Sequence, residues 1–262
     1  MGSTKINLTE EQLTEVTLSA LKEHPEGITE YPILDFDDRA LGLLSAGVAE
    51  TLRYSEIKPR GGLAYRFLKR LFDIVGSALS LILLAIPMGI VALVIYLDDK
   101  GSPIFSQARL TKDGKVFYMH KFRSMCVDAE QKFAEVQKEN ETDGLAFKSE
   151  NDPRITRIGH FIRRTSIDEL PQLWDVFCGH MSIIGPRPPL PREVVLYTPH
   201  QMQRLQVKGG LSCICQVEGR SDMGFEKWVE SDLEYIQTRS AGLDLKLVFK
   251  TIGVVIMKKG AR

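Results

Sequence analysis

Residues 74–97, from Ile74 to Leu97, run for 24 positions without a charged side chain. Such a stretch must be covered by lipid or by the rest of the fold, and its length matches a bilayer's hydrocarbon core. Pro87 divides it into arms of 13 and 10 residues, each roughly 15–20 Å long at the helical rise. Proline removes a backbone donor and bends or breaks a helix. Arg66, Lys69 and Arg70 precede the segment; Lys100, Arg109, Lys112, Lys115, Lys121 and Arg123 follow it. Basic residues favour the cytoplasmic side. Basic flanks at both ends therefore suit a re-entrant hairpin that enters and leaves by one face. A straight, Pro-kinked span and a buried core helix are the alternatives.

The net charge of zero conceals an asymmetry. Residues 1–60 carry 6 Lys/Arg against 11 Asp/Glu, and the remainder 28 against 23. The acidic part is not expected to seek phosphate, whereas the rest can. No nucleic-acid-binding module is legible, so no nucleic-acid partner is expected. Cys126, Cys178, Cys213 and Cys215 lack zinc-site spacing and read as reduced thiols in a cytosolic environment. Met1 to Leu8 is polar, so no secretory signal is expected there.

The pattern divides the chain into an acidic, mostly helical extension at 1–60, a membrane-associated segment at 61–100 and a cytosolic part at 101–262. Pro59-Arg60-Gly61-Gly62 marks the first boundary. Helices are expected over 7–23 and 41–52. Short strands are expected at 103–107 and 115–120 around the Asp113-Gly114 turn. Further helices are expected at 128–139, 155–164, 169–178, 225–238 and 243–259. The fold class is therefore an α-rich α+β fold with a small sheet.

The chemistry concentrates in Thr165-Ser166-Ile167-Asp168-Glu169-Leu170-Pro171-Gln172. Ser166 to Glu169 reads as a capping box, with acids in a helix's first turn stabilised by its dipole. The same two carboxylates also suit nucleophilic or metal-assisted chemistry. The arginines before them, Arg154, Arg157, Arg163 and Arg164, suit phosphate. Gly185-Pro186-Arg187-Pro188-Pro189 reads either as a polyproline turn or as a stiff backbone that pre-orders a guanidinium fork. Lys121, Arg123 and Arg220 are ordinary basic residues in isolation. Asp35-Phe36-Asp37 resembles the metal-binding DxD of many glycosyltransferases but is only a short acidic loop.

In order, Lys69-Arg70-Leu71-Phe72-Asp73, the broken apolar segment, Lys121-Phe122-Arg123-Ser124-Met125 and Asn151-Asp152-Pro153-Arg154 stand first. Ser166-Ile167-Asp168-Glu169-Leu170-Pro171-Gln172-Leu173, Gly185-Pro186-Arg187-Pro188 and Gln216-Val217-Glu218-Gly219-Arg220 follow. This series resembles the bacterial sugar transferases, the small monotopic phosphoglycosyltransferases that start polysaccharide and glycoconjugate assembly, over about residues 65–262. The resemblance implies a re-entrant membrane helix-hairpin joined to a compact catalytic domain on the cytoplasmic face of a bacterial inner membrane. It implies transfer of a sugar 1-phosphate, from a UDP-sugar such as UDP-glucose or UDP-galactose, to undecaprenyl phosphate with Mg²⁺ and release of UMP. Products of such enzymes feed exopolysaccharide, lipopolysaccharide and capsule. By carry-over, Asp168 is the nucleophile and Glu169 the Mg²⁺ ligand. Arg187 binds phosphate, and Arg163 and Asp232 match family site positions. Lys121, Arg123, Arg154 and Arg220 join them as substrate-binding candidates. Lys69, Arg70 and Pro87 belong to the membrane segment, with Lys69 and Arg70 at the headgroups. A homodimer and downstream glycosyltransferases are expected as partners.

The chain departs from the family pattern in three places. Ile86-Pro87 stands where Ser-Pro is usual. Gly209-Gly210-Leu211-Ser212-Cys213 replaces Pro-Gly-Leu-Thr-Gly, and Cys215 replaces a Trp. The last two bear on a loop that helps define the sugar pocket. Residues 1–60 lie outside the resemblance, do not read as the multi-span anchor of larger relatives, and are expected to supply no catalytic group. Two other function classes remain open: an inactive membrane scaffold, and a metal-dependent glycosyltransferase that would release UDP from a nucleotide-binding α/β domain.

Overall fold

The computed structural model describes residues 36–129, 132, 152–218 and 224–257. The helix expected at 7–23, most of that at 128–139, and Arg220 lie outside the described residues.

Helix α1, Asp38–Arg53, begins where Asp37 accepts a hydrogen bond from the Ala40 amide at 2.7 Å. An aspartate at this position satisfies one of the free amides of the first turn. Asp37 is thus a cap. Ala40, Leu41, Leu44 and Val48 recur at helical spacing and are buried. They meet the hairpin of strands β1, Ile104–Leu110, and β2, Val116–Phe122, which pair antiparallel from Ile104–Phe122 to Leu110–Val116. The turn between the strands puts Asp113 at φ 59° and Gly114 at φ 72°, the left-handed pair that Asp-Gly accepts most readily. A side chain at Gly114 would strike Val48, so α1 seats directly on this turn. Ala40, Leu44 and Val48 share a core with Leu110, Val194, Tyr197, Met202 and Leu205. The division near Pro59 therefore separates regions of sequence but not hydrophobic cores.

Helix α2 runs from Leu63 to Asp99, 37 residues with Pro87 inside. The sequence reading expected a break between two arms at Pro87; the helix is instead continuous through it. A proline inside a helix costs one backbone bond and bends the axis, and the flanking leucines and isoleucines keep the helix going on both sides. Among the described residues this is the one helix long and apolar enough to cross a membrane, and only 6% of its most apolar window is buried. Ile82, Leu83 and Ile86 are 73–78% exposed. The buried core helix is thereby excluded. Both ends of α2 are nevertheless packed. At the start, Asp73 accepts from the Ser182 hydroxyl at 3.0 Å and the Ile183 amide at 2.9 Å. At the end, Ile95 packs with Phe122 and Ile162.

Helix α3, Arg157–Arg164, is capped by Thr156, whose hydroxyl accepts from the Gly159 amide. Helix α4, Gln172–Cys178, follows Pro171. Strands β3, Ser182–Ile184, and β4, Gly210–Ser212, pair in parallel as a second small sheet. Between them lie the short helices α5, Pro191–Val194, and α6, Pro199–Met202. Helix α7, Ile214–Glu218, α8, Phe225–Thr238, and α9, Ala241–Met257, complete the described chain. Val229, Leu233 and Ile236 of α8 and Leu247 of α9 bury with Ile184 and Val207. Among the described residues the architecture is mostly helical with two two-stranded sheets.

Candidate active site

Asp168 and Glu169 stand in a single 3-10 turn, Ile167–Glu169, between α3 and α4. The capping box expected from Ser166 does not form. Ser166 sits in the left-handed region at φ 56° and makes no cap bond. Backbone strain of this kind is sustained only where the surroundings hold it. Here the Ser166 amide donates to the Arg163 carbonyl, and its carbonyl accepts from the Glu169 amide. The two carboxylates thus belong to a tight, separately held turn rather than to the first turn of an α-helix.

Asp168 is buried. Burial pushes its carboxyl up to about 6; Lys121 and Arg163 pull against that, while the neighbouring Glu169 adds to it. Glu169 lies 3.3 Å from the Lys121 ammonium. Burial lowers the Lys121 ammonium, opposed by Glu169 and aided by Arg187. Arg163 donates its Nε–H to Ser124 at 2.8 Å and is held in range of Asp168. Lys121, Glu169, Gln172, Arg187, Leu211 and Gln216 line one pocket. Strand alternation explains part of this: Lys121 is turned towards Glu169, while its neighbour His120 bonds Asp175 on α4 through Nδ1 at 2.7 Å and through its amide at 2.9 Å. Arg187 enters on the Gly185–Pro189 loop. That loop is pressed against β4 so closely that a side chain at Gly210 would strike the Gly185 backbone.

The other expected site residues fall elsewhere. Arg154 forks onto Asp152, at 2.8 Å and 2.6 Å, and both are buried. Arg123 lies 3.6 Å from Asp99 at the end of α2. Asp232 pairs with Arg204 at 2.6 Å, with both side chains 1% exposed; Arg204 also donates to the Tyr197 hydroxyl and lies over the Trp228 ring. Burial pushes Asp232 up to about 6 against the pull of Arg204. Lys69 and Arg70, expected at the headgroups, are turned into the protein. Lys69 pairs with Asp244 at 3.0 Å, and Arg70 donates to the Val176 and Phe177 carbonyls.

Sequence reasoning missed two residues that shape the site. Arg109 is buried on β1, donates to the Pro188 carbonyl at 3.0 Å and braces the Arg187 loop. Asp73 ties α2 to β3, the strand that leads into the same loop. A charge at the edge of the apolar run was the available signal for Asp73; no spacing rule points to Arg109. A larger hollow of about 430 Å³ at the start of α2, lined by Arg60, Tyr65, Leu68 and Arg239, has no carboxylate in its wall. The arrangement of chemical use is the carboxylate pair, Asp168 buried and Glu169 partly exposed, beside three cations, which can attack and bind phosphate.

Comparison with known proteins agrees. The chain is 44% identical over 203 residues to the UDP-galactose-lipid carrier transferase of Erwinia amylovora, covering 75% of this chain and 42% of that protein. It is 39% identical over 204 residues to the UDP-glucose:undecaprenyl-phosphate glucose-1-phosphate transferase of Escherichia coli, covering 75% and 42%. To the exopolysaccharide production protein ExoY of Rhizobium meliloti it is 33% identical over 209 residues, covering 78% and 91%. The chain thus spans less than half the length of the first two relatives. The bacterial sugar transferase family model matches residues 64–258, and on that match the chain belongs to the bacterial sugar transferases.

Proposed function

We propose that this protein transfers a sugar 1-phosphate, of a hexose such as glucose or galactose, from a UDP-sugar to undecaprenyl phosphate and releases UMP. The observation that carries the reading is the buried Asp168 beside Lys121 and Arg163, next to the pocket of Glu169 and Arg187. The names of the relatives, which include UDP-sugar and undecaprenyl-phosphate transferases, support it. A carboxylate oxygen of Asp168 attacks the phosphorus that bears the sugar. The bond from that phosphorus to the bridging oxygen breaks, and UMP leaves with the electron pair. An oxygen of undecaprenyl phosphate then attacks the same phosphorus and releases Asp168 as carboxylate. An ionised carboxylate needs no general base. Arg187 and Lys121 bind phosphate oxygens, and Arg163 holds Asp168 in place.

Mg²⁺ fits the donor set. Glu169, with Asp168 beside it, would hold it, and no cluster of three or more His, Cys, Asp or Glu occurs among the described residues. Magnesium commonly takes one or two protein carboxylates and completes its shell with water and substrate phosphate. Bound there, it would neutralise phosphate charge. A panel of UDP-sugars with undecaprenyl phosphate, read by nucleotide release, tests the reaction. UMP is the expected product, and UDP in its place would sink the reading.

The membrane reading has its own support. A straight 37-residue helix would be about 55 Å long, against a hydrocarbon core of about 30 Å. Yet polar parts of one domain hold both its ends, through Asp73, Lys69 and Arg70 at the start and Asp99 at the end. This grip on both ends supports a helix that dips into one leaflet by its exposed middle and returns, with the catalytic part on the cytosolic side where UDP-sugars are made. Single cysteines at positions 65 and 100 are expected to react from the same side of oriented vesicles. Reaction from opposite sides would show a span.

A further inference from the structure

The pocket wall has two chemistries. Lys121, Glu169 and Arg187 are charged, whereas Gln172 and Gln216 are neutral amides. Gln172 opens α4, four residues after Asp168, and is 3% exposed. Its Nε2 is shielded from solvent and has no hydrogen-bond partner among the described residues. A shielded donor without an acceptor is costly in a folded protein and calls for a cause. The position is well held, because the Leu173 and Trp174 amides donate back to Leu170 and Pro171 at 3.0 Å. Gln172 is therefore presented by a rigid turn while its amide group lacks a protein acceptor. Gln216 reaches the pocket from α7, which follows β4 after one residue.

The chemistry of the ligand follows from the amide. The cations match phosphate oxygens. A carboxamide carries both a donor and an acceptor, as does a sugar hydroxyl, so the two can pair reciprocally without any charge. We propose that Gln172, with Gln216, binds hydroxyl groups of the transferred sugar. This rests on the sugar-phosphate transfer proposed above. Gln172 and Gln216 are contacts to the sugar, and the phosphate contacts remain with Lys121 and Arg187.

Gln172→Met removes the amide at similar volume and provides the test. The full chain in lipid nanodiscs is titrated with UDP, UDP-glucose and UDP-galactose, and kcat/KM for UMP release is measured for both sugars. UDP affinity is expected within twofold of wild type, while affinity and kcat/KM for the preferred UDP-sugar fall about tenfold, the scale of one lost hydrogen bond. Gln216→Met should act in the same direction, and it carries the test if Gln172→Met does not fold. Equal loss of UDP and UDP-sugar affinity would mean that the amides only support the fold. Unchanged UDP-sugar affinity in a folded variant would overturn the proposal. Wild-type protein that binds UDP-sugars but releases no UMP would count against the transfer reaction and leave the sugar contact to be judged by binding.

Discussion

Asp168→Asn is expected to lower UMP release by about four or more orders of magnitude, the scale on which removal of an attacking group acts. An amide does not attack phosphorus, and no second carboxylate of the turn replaces it: Glu169 faces Lys121 at 3.3 Å. With the wild type, intact mass spectrometry should show a phosphosugar adduct on Asp168, and the kinetics should be ping-pong. The pH profile makes a second, independent demand. Burial raises the Asp168 carboxyl to about 6, so kcat/KM should fall as the pH drops through 6, where the carboxylate protonates. Stability has the opposite sign. The folded value lies above the unfolded value near 3.9, so the folded state binds more protons between them and loses stability as pH rises through that window. At neutral pH the ionised, buried Asp168 is therefore a cost, and Asp168→Asn should stabilise the fold by about 1–3 kcal/mol. Robust turnover by the Asn variant, or a sequential pattern without an adduct, would remove Asp168 from the role of nucleophile.

Asp232→Ala should be the most destabilising of the substitutions considered. Its partner Arg204 is as buried as Asp232 and is held at 2.6 Å, with Tyr197 and Trp228 around it. Removing the carboxylate leaves a guanidinium charge in the core without its counter-ion, which costs about 3–5 kcal/mol. At roughly 2–4 °C per kcal/mol for a chain of this size, thermal unfolding should move down by about 10 °C. The family resemblance offers Asp232 as a site residue, whereas the geometry gives it a structural load. The two readings separate in the assay. A substrate contact would lower kcat/KM with little change in unfolding temperature; a structural pair would lower the unfolding temperature first, with kcat/KM near wild type in the protein that stays folded.

How far the sequence could be read depended on the range of each interaction. The β1–β2 hairpin was legible because alternation and an Asp-Gly turn are local signals; each strand starts one residue later than expected and ends two or three residues later. Helix α8 was legible at its expected limits, 225–238, because its apolar face recurs at the helical period. The turn around Asp168 was not. Its letters fit a capping box, but bonds to Arg163 and the packing of α3 against β2 hold Ser166 in a left-handed conformation that its own propensity disfavours. Arg154 and Arg163 look alike in sequence, yet one is closed onto Asp152 and the other stands by Asp168. No local rule separates them, because their partners are chosen by the path of the loop.

The sequence by itself determined the chemical inventory: a 24-residue apolar run, an adjacent pair of acids, an arginine between two prolines, and their order along the chain. Those properties reside in composition and short spacing, and they were enough to place the chain in its family. Only the tertiary structure decided which charges are available for chemistry. Burial and distance settle that choice, since a guanidinium within 3 Å of a buried carboxylate is already neutralised, whereas Lys121 and Arg187 line one pocket with the partly exposed Glu169. Tertiary structure also joined α1 to the catalytic core and gripped α2 at both ends, because such contacts link residues more than a hundred positions apart and leave no periodic trace in the chain.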